Sequence, residues 1–298
     1  MVGFLYGIAA AFFWSLTNII DKYLTNKHAE DGNVWGLVIA STVFPLILLP
    51  IAVTLSPITF ELPTTTLLMF TGLLMSAWVF LYLKALTEDE ASVVMTLLVL
   101  APLFSLLFSN FILGESLTAA QLLAGAFLIL GSLIVSYSGG TGFNFKLIFY
   151  AISASAITGL LYTIFKFSSL ENEFWNSMFW RSVGMALTGL ALCVLIPSIR
   201  HRFYQFIKEH FFKSTTLNAT NESLTLIGDT FFGFAVLLAP IALVQTTEAY
   251  QPIFIIIIGF VLSQIGFETI EEDYSKSTLV RKIMGITCVL IGSAILVL

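Results

Sequence analysis

Apolar residues along this chain gather into ten long runs, at 3–24, 34–55, 65–86, 91–113, 118–138, 146–168, 174–196, 224–243, 249–269 and 279–298, divided by short polar strips. A helix needs about 20 mostly apolar residues to cross a bilayer, and an unbroken run of that kind with few charges marks one. The pattern therefore predicts an all-α membrane protein with ten transmembrane helices. The first run follows Met1 with no basic segment before it and no small-residue cleavage site after it, so it reads as a retained helix. The longest connection, Pro197 to Ser223, mixes Phe203, Phe206, Ile207, Phe211 and Phe212 with Arg200, Arg202, Lys208 and Lys213. That mixture suits a short helix lying in the headgroup region.

Composition agrees. Hydrophobic residues make up 58% of the chain and charged ones 10%, with a mean hydropathy of +0.96, far more apolar surface than a soluble core of this size needs. A net charge of −5, with Lys and Arg scattered singly, gives no case for nucleic acid. Cys193 and Cys288 fall inside predicted spans, which argues against a disulfide framework, and no metal-type spacing occurs. Asn218-Ala219-Thr220 and Asn221-Glu222-Ser223 match glycosylation acceptors, a pattern common by chance.

The two halves resemble each other. Tyr6 to Lys22 aligns without gaps on Tyr150 to Lys166, which sets Lys22 opposite Lys166 at the end of a first helix in each half. Farther on, Glu90 through Glu115 aligns with Thr246 through Glu271, and four extra residues then bring Gly125 opposite Gly285. The expected units are residues 1–140 and 145–298, each of five helices. Because five is odd, a duplicated five-helix unit must cross the membrane in the opposite sense. Such inverted repeats are the architecture of alternating-access transporters, whose site lies near the midplane between the halves.

Trp14-Ser15-Leu16-Thr17-Asn18-Ile19-Ile20-Asp21-Lys22-Tyr23, Lys84-Ala85-Leu86 with Glu90-Ala91-Ser92-Val93-Val94, and Pro102-Leu103-Phe104 through Leu113-Gly114-Glu115-Ser116-Leu117-Thr118 together resemble the EamA-like family of the drug/metabolite transporter superfamily. In the second half, Ala242-Leu243-Val244-Gln245 through Gln251-Pro252-Ile253-Phe254 is similar, whereas the Gly-Glu loop is reduced to Ile270-Glu271. The resemblance covers essentially the whole chain. It implies a bacterial inner-membrane transporter with ten helices, a central cavity lined by the first four helices of each repeat, and no cofactor. Peripheral helices five and ten, with Gly125, Gly131, Ser132, Gly285, Cys288 and Gly292, are candidates for homodimer contacts or for packing within one chain.

A charge in mid-membrane costs about 2.5–3.5 kcal/mol on insertion scales and so should face a cavity or a partner. Counted from the starts of their runs, Asp229 and Arg181 lie about 8 Å and 10 Å deep at 1.5 Å per residue, but from opposite faces. Across a ~30 Å core that leaves them about 12 Å apart in depth, which predicts that they are not partners. Asp21 and Lys22 end the first helix on the face where the eighth run starts, so Lys22 and Asp229 are expected to be level at one mouth. Lys166 is expected near Arg181, Glu171 and Glu173 at the other. Lys22 and Lys166 can equally snorkel to the headgroups. Trp14, Asn18, Trp78, Tyr82, Tyr162, Trp180, Gln245, Tyr250 and Gln251 offer stacking faces and hydrogen bonds to a cavity ligand, although Trp and Tyr near span ends also serve as interface anchors. Glu90 and Glu248 begin helices, where capping is the expected role and proton coupling the alternative.

An intramembrane hydrolase would need a His near a Ser, and His28, His201 and His210 all fall in connections. No HExxH motif or phosphate loop occurs, and Glu271, Glu272 and Asp273 read as a solvated loop rather than a cation site. The chain is thus read as a non-enzyme that moves small metabolites, amino acids or related amphipathic compounds among them, by export and alternating access; a passive channel is the alternative. The family resemblance implies cytoplasmic termini. Against this, the connections after helices 1, 3, 5, 7 and 9 hold every Lys and Arg of the 13 except Lys166 and Arg181, which by the positive-inside rule puts the termini outside. The charge argument is favoured here.

Overall fold

The structure, a computed structural model, describes residues 2–28, 33–113, 118–138, 142–169, 174–210, 213–264, 272–273 and 275–297. It is helical almost throughout: α1 Val2–His28, α2 Trp35–Val43, α3 Leu48–Leu55, α4 Leu62–Leu86, α5 Ala91–Leu98, α6 Ala101–Leu113, α7 Ala119–Ser136, α8 Phe145–Ser169, α9 Phe174–Leu195, α10 Pro197–His210, α11 Lys213–Leu238, α12 Ile241–Gln245, α13 Gln251–Gln264 and α14 Lys276–Val297. Two-residue strands at Tyr137–Ser138 and Gly142–Phe143 pair antiparallel between α7 and α8. Among the described residues, nine helical stretches are long and apolar enough to cross a membrane.

Three of the apolar runs are interrupted. Pro45 sits in a 3-10 turn, Phe44–Ile47, between α2 and α3. The fourth run breaks at Val99 and Leu100, just before Pro102, which has no N–H to continue a helix. In the ninth, α12 passes through a 3-10 turn, Thr246–Tyr250, into α13 at Gln251-Pro252. Breaks of this kind leave carbonyls unbonded and survive in a membrane only where other groups satisfy them. Here the Ser155 hydroxyl donates to the Leu98 carbonyl (3.2 Å) and the Ser15 hydroxyl to that of Gln251 (3.4 Å).

The eighth and ninth helices depart from the expected runs. Hydropathy marked 224–243, but α11 begins at Lys213, ends before the breaker Pro240, and is 26 residues long. Its first half, Lys213-Ser214-Thr215-Thr216 to Ser223, is too polar to register as a span, so α11 is not among the nine apolar stretches. The same helix holds Asn218 and Asn221 buried, which removes both from consideration as glycan acceptors on the folded protein. The expected headgroup helix is α10, with Tyr204 and Ile207 exposed and Phe206 packed against Gly36.

α1 lies antiparallel to α11: Gly3 is against Ala235 and Ala239, and Gly228 leaves room for the Trp14 ring. α4 packs on both α8 and α9, with Gly72 and Gly184 at the α4–α9 crossing. Small residues of α7 and α14 meet within the chain. Gly131 approaches the Gly285 backbone, and Gly292 approaches the Ala124 carbonyl. The faces these helices turn outward are large and apolar, including Leu122, Leu130, Ile283 and Ile291, as lipid contact requires.

Candidate functional site

α1 and α11 carry facing polar stripes at helical spacing. On α1 these are Trp14, Thr17, Asn18 and Asp21; on α11 they are Asn218, Asn221, Glu222, Thr225 and Asp229. Two layers of contacts tie them together. In one, the Trp14 indole N–H donates to Asp229 Oδ1 (3.2 Å), and Arg181 of α9 is ion-paired to Asp229 Oδ2. In the other, Asn221 Nδ2 donates to Asp21 Oδ1 (2.7 Å), and the Tyr82 hydroxyl lies 2.8 Å from Asn18 Oδ1 and 3.0 Å from Asp21 Oδ2. Seven residues separate Trp14 from Asp21, so the layers are about 10 Å apart along the helix.

Between them is a cavity whose empty space, open solvent included, is about 650 Å³. Its walls come from α1, α4, α5, α8, α11 and the interruption between α12 and α13. Trp78 and Tyr82 stack face to face on one side, their rings 4.9 Å apart and 9° from parallel. Asn18 Nδ2 donates to Gln251 Oε1 (2.8 Å), joining α1 to the broken ninth helix. A second recess, with about 470 Å³ of empty space when open solvent is included, shares Asp21, Trp78, Tyr82, Thr225 and Asp229 and adds Ser41, Pro45 and Glu222. The Ser41 hydroxyl donates to the Glu222 carboxylate.

Of the residues singled out from sequence, Trp14, Asn18, Asp21, Trp78, Tyr82, Tyr162, Asp229 and Gln251 line the main cavity. The others do not. Trp180 turns away to donate its indole N–H to the Thr59 carbonyl (2.8 Å), and Tyr250 stands edge-on to Phe4. Gln245 is fully buried, with neither amide atom bonded to any described residue. Arg181 sits behind Asp229, its guanidinium 5.8 Å from the centre of the Phe165 ring.

Lys22 and Asp229, expected level at one mouth and either paired or jointly contacting a solute, do not pair. Asp229 pairs with Arg181, because its depth was counted from residue 224 whereas α11 starts at Lys213. Asp229 lies nine residues before the end of α11 and Arg181 seven after the start of α9, so they stand about 13 Å and 10 Å in from the same end. Lys22 instead reaches the backbone, donating to the Leu86 (2.9 Å) and Asp89 (3.0 Å) carbonyls at the α4–α5 turn. Lys166 does the same at the α11–α12 turn, donating to the Ala239 carbonyl (2.7 Å). Glu171 and Glu173 lie outside the described residues.

Sequence reasoning undervalued Glu222 and Glu248. Glu222 fell in what read as a connection, and Glu248 read as a cap. In the structure Glu248 makes no side-chain cap; it lines the cavity, 7% exposed. The i, i+3/4 spacing of Asn218, Asn221, Glu222, Thr225 and Asp229 was the signal that would have found this face.

The reading of Glu272 as part of a solvated loop is also overturned, while Glu271 lies outside the described residues. Glu272 is buried against Lys282 (2.6 Å) and accepts from the Ser92 backbone N–H (2.9 Å) and hydroxyl (2.6 Å), so it caps α5 in place of Glu90. Glu90 also pairs with Lys282, and burial, then the neighbouring Glu272, push its carboxyl above the usual range. Asp273, exposed, is held below that range chiefly by the Thr278 hydroxyl. Lys282→Met leaves two acids facing each other and should cost on the order of 3 kcal/mol, whereas Glu90→Gln keeps one buried pair and should cost under about 1. A carboxyl with a raised folded-state pKa stabilises below its unfolded pKa and loses that contribution as pH rises. The Lys282→Met deficit, read by thermal unfolding, should therefore be larger at about pH 8 than at about pH 5. Equal deficits in the two variants would show that Lys282 does not bridge the acids.

Residues 1–137 match the model of the EamA-like transporter family. No curated protein matches the chain. A solved crystal structure, described only as that of a protein, aligns over 98% of this chain and 94% of its own with a TM-score of 0.65 and 16% identity, a likeness of fold. The family match points to an integral, multi-pass membrane transporter of small molecules rather than an enzyme.

Proposed function

We propose that this chain, whose residues 1–137 belong to the EamA-like transporter family, is a secondary transporter that exports small metabolites by alternating access. The observation that carries the reading is the make-up of the cavity wall: α1, α4 and α5 from the first half, and α8, α11 and the interrupted ninth helix from the second. Those are the first, third and fourth helices of two five-helix units, residues 1–140 and 145–298. The lysines support the same division, since Lys22 and Lys166 each tie the end of a first helix to the turn after a third. A site at the interface of two inverted units, beside discontinuous helices, is what rocking one unit against the other requires. Purified protein in liposomes should show saturable counterflow of a small organic solute. Strictly linear flux of every permeant would favour a channel, and conversion of a substrate into a new compound would favour an enzyme.

Orientation follows from the exposed cations. Lys27, Lys146, Arg200, Arg202, Lys208 and Lys276 are exposed, and all belong to the end opposite the termini in this ten-crossing arrangement. Lys22 and Lys282 are occupied inside the protein and drop out of the count. The remaining bias still assigns that end to the cytoplasm. A C-terminal alkaline phosphatase fusion should be active and a C-terminal fluorescent-protein fusion dark; the reverse pattern would put the termini inside.

A further inference from the structure

We infer that the solute this cavity takes is an organic cation, an amine or ammonium carried on an aromatic or apolar body; the inference rests on the transporter reading above. Among the described residues, the two joined recesses hold four carboxylates, Asp21, Glu222, Asp229 and Glu248, and no Lys or Arg lines either one. Arg181 stands behind the wall and is ion-paired to Asp229, so it balances one of the four. Among the described residues, Asp21 and Glu222 receive hydrogen bonds only from neutral groups, Asn221, Tyr82 and Ser41. Glu248 has no partner among the described residues, yet it is more than nine-tenths buried and faces the open space.

A buried carboxylate without a cationic partner is costly, and its charge has to be balanced by a proton or by a cation. The cavity can supply the rest of a cation's surroundings. The stacked Trp78 and Tyr82 rings give an aromatic face, which attracts both an apolar body and a positive charge. Met75, Met95 and Leu98 complete an apolar wall that can adjust to shape. A carboxylate-bearing solute would meet this acidic lining with like charge. The chemistry of the lining thus selects positive charge at one end and apolar bulk at the other.

Three probes of similar shape separate the possibilities: 2-phenylethylammonium, 2-phenylethanol and 3-phenylpropionate, titrated calorimetrically into purified full-length protein. The ammonium should bind at least about tenfold more tightly than either other probe, and Glu248→Gln should weaken it by about tenfold or more. In weakly buffered solution, ammonium binding to the wild type should also release protons, a readout that needs no variant. Preference for the alcohol or the carboxylate, or binding of none of the three, would overturn the cation inference. So would unchanged ammonium affinity in both Glu248→Gln and Glu222→Gln. Tight ammonium binding without counterflow in liposomes would leave the binding chemistry standing and remove the transporter reading. Saturable counterflow of an anionic or neutral solute alone would do the opposite.

Discussion

Arg181→Ala should leave Asp229 as an uncompensated charge in the protein interior and destabilise the fold by about 3–5 kcal/mol, the usual consequence of breaking a buried pair from one side. Both side chains are almost fully enclosed, at 2% and 5% exposure, so solvent does little to screen the orphan. Asp229→Leu should be similarly damaging, since the guanidinium would keep only uncharged neighbours among the described residues, the Phe165 ring and the Tyr162 hydroxyl. The double variant Arg181→Met/Asp229→Leu removes both charges and should recover most of the lost stability, because a well-packed apolar pair often equals or exceeds a buried ion pair. Transport should not recover with it, since Asp229 is also where Trp14 is held at the cavity wall. Thermal unfolding in detergent, with counterflow alongside, reads both effects. Additive losses in the double variant would mean that the pair does not communicate. Lys22→Ala with Asp229→Ala, in contrast, should be additive, because Lys22 bonds backbone carbonyls at the far end of α1.

That contrast shows where the sequence was legible. Nine stretches were recognisable because their apolar residues are unbroken over a bilayer's thickness, and hydropathy depends on little else. α11 showed only its second half, as the run at 224–243, because its first half is built to face a polar interior. Asn218, Asn221, Glu222 and Thr225 face α1 and the recesses, and their polarity made half a helix look like a loop. Everything measured from the wrong start was then misplaced, including Asp229 and its partner. Residues on α1 were easier to assign, since Trp14, Asn18 and Asp21 stand out against an apolar background at helical spacing. What no local pattern carried was which way a residue at a span end turns. Trp78 stacks in the cavity and Trp180 bonds a loop carbonyl, though both are tryptophans on long apolar helices. The Glu90–Lys282–Glu272 cluster was hidden for a related reason: Glu90 is 192 residues from Lys282, and each member is ordinary by itself.

The other large effect is expected where α4 crosses α9. A Cβ built on Gly184 would sit under 3.0 Å from the Met69 carbonyl oxygen and Cα, and one on Gly72 under 3.0 Å from the Arg181 carbonyl oxygen and the Met185 nitrogen. All of these are backbone atoms, so no rotamer change relieves the clash and the two helices must separate. Overpacking of this sort costs about 1–3 kcal/mol and occasionally more, and each of Gly72→Ala and Gly184→Ala should reach the upper part of that range. Function should fall further than stability. Arg181 is less than one turn from Gly184, so moving α9 outward draws the guanidinium off Asp229 and loosens the wall that Trp14 completes. Gly125 is the control, because among the described residues its added Cβ would meet only the end of the Leu103 side chain, at 2.9 Å, which can rotate away. Gly125→Ala should therefore unfold within a few degrees of wild type and retain counterflow. If Gly184→Ala behaved like Gly125→Ala in both assays, the helices would not be locked at this crossing, and Arg181 would have to be positioned by α9 alone.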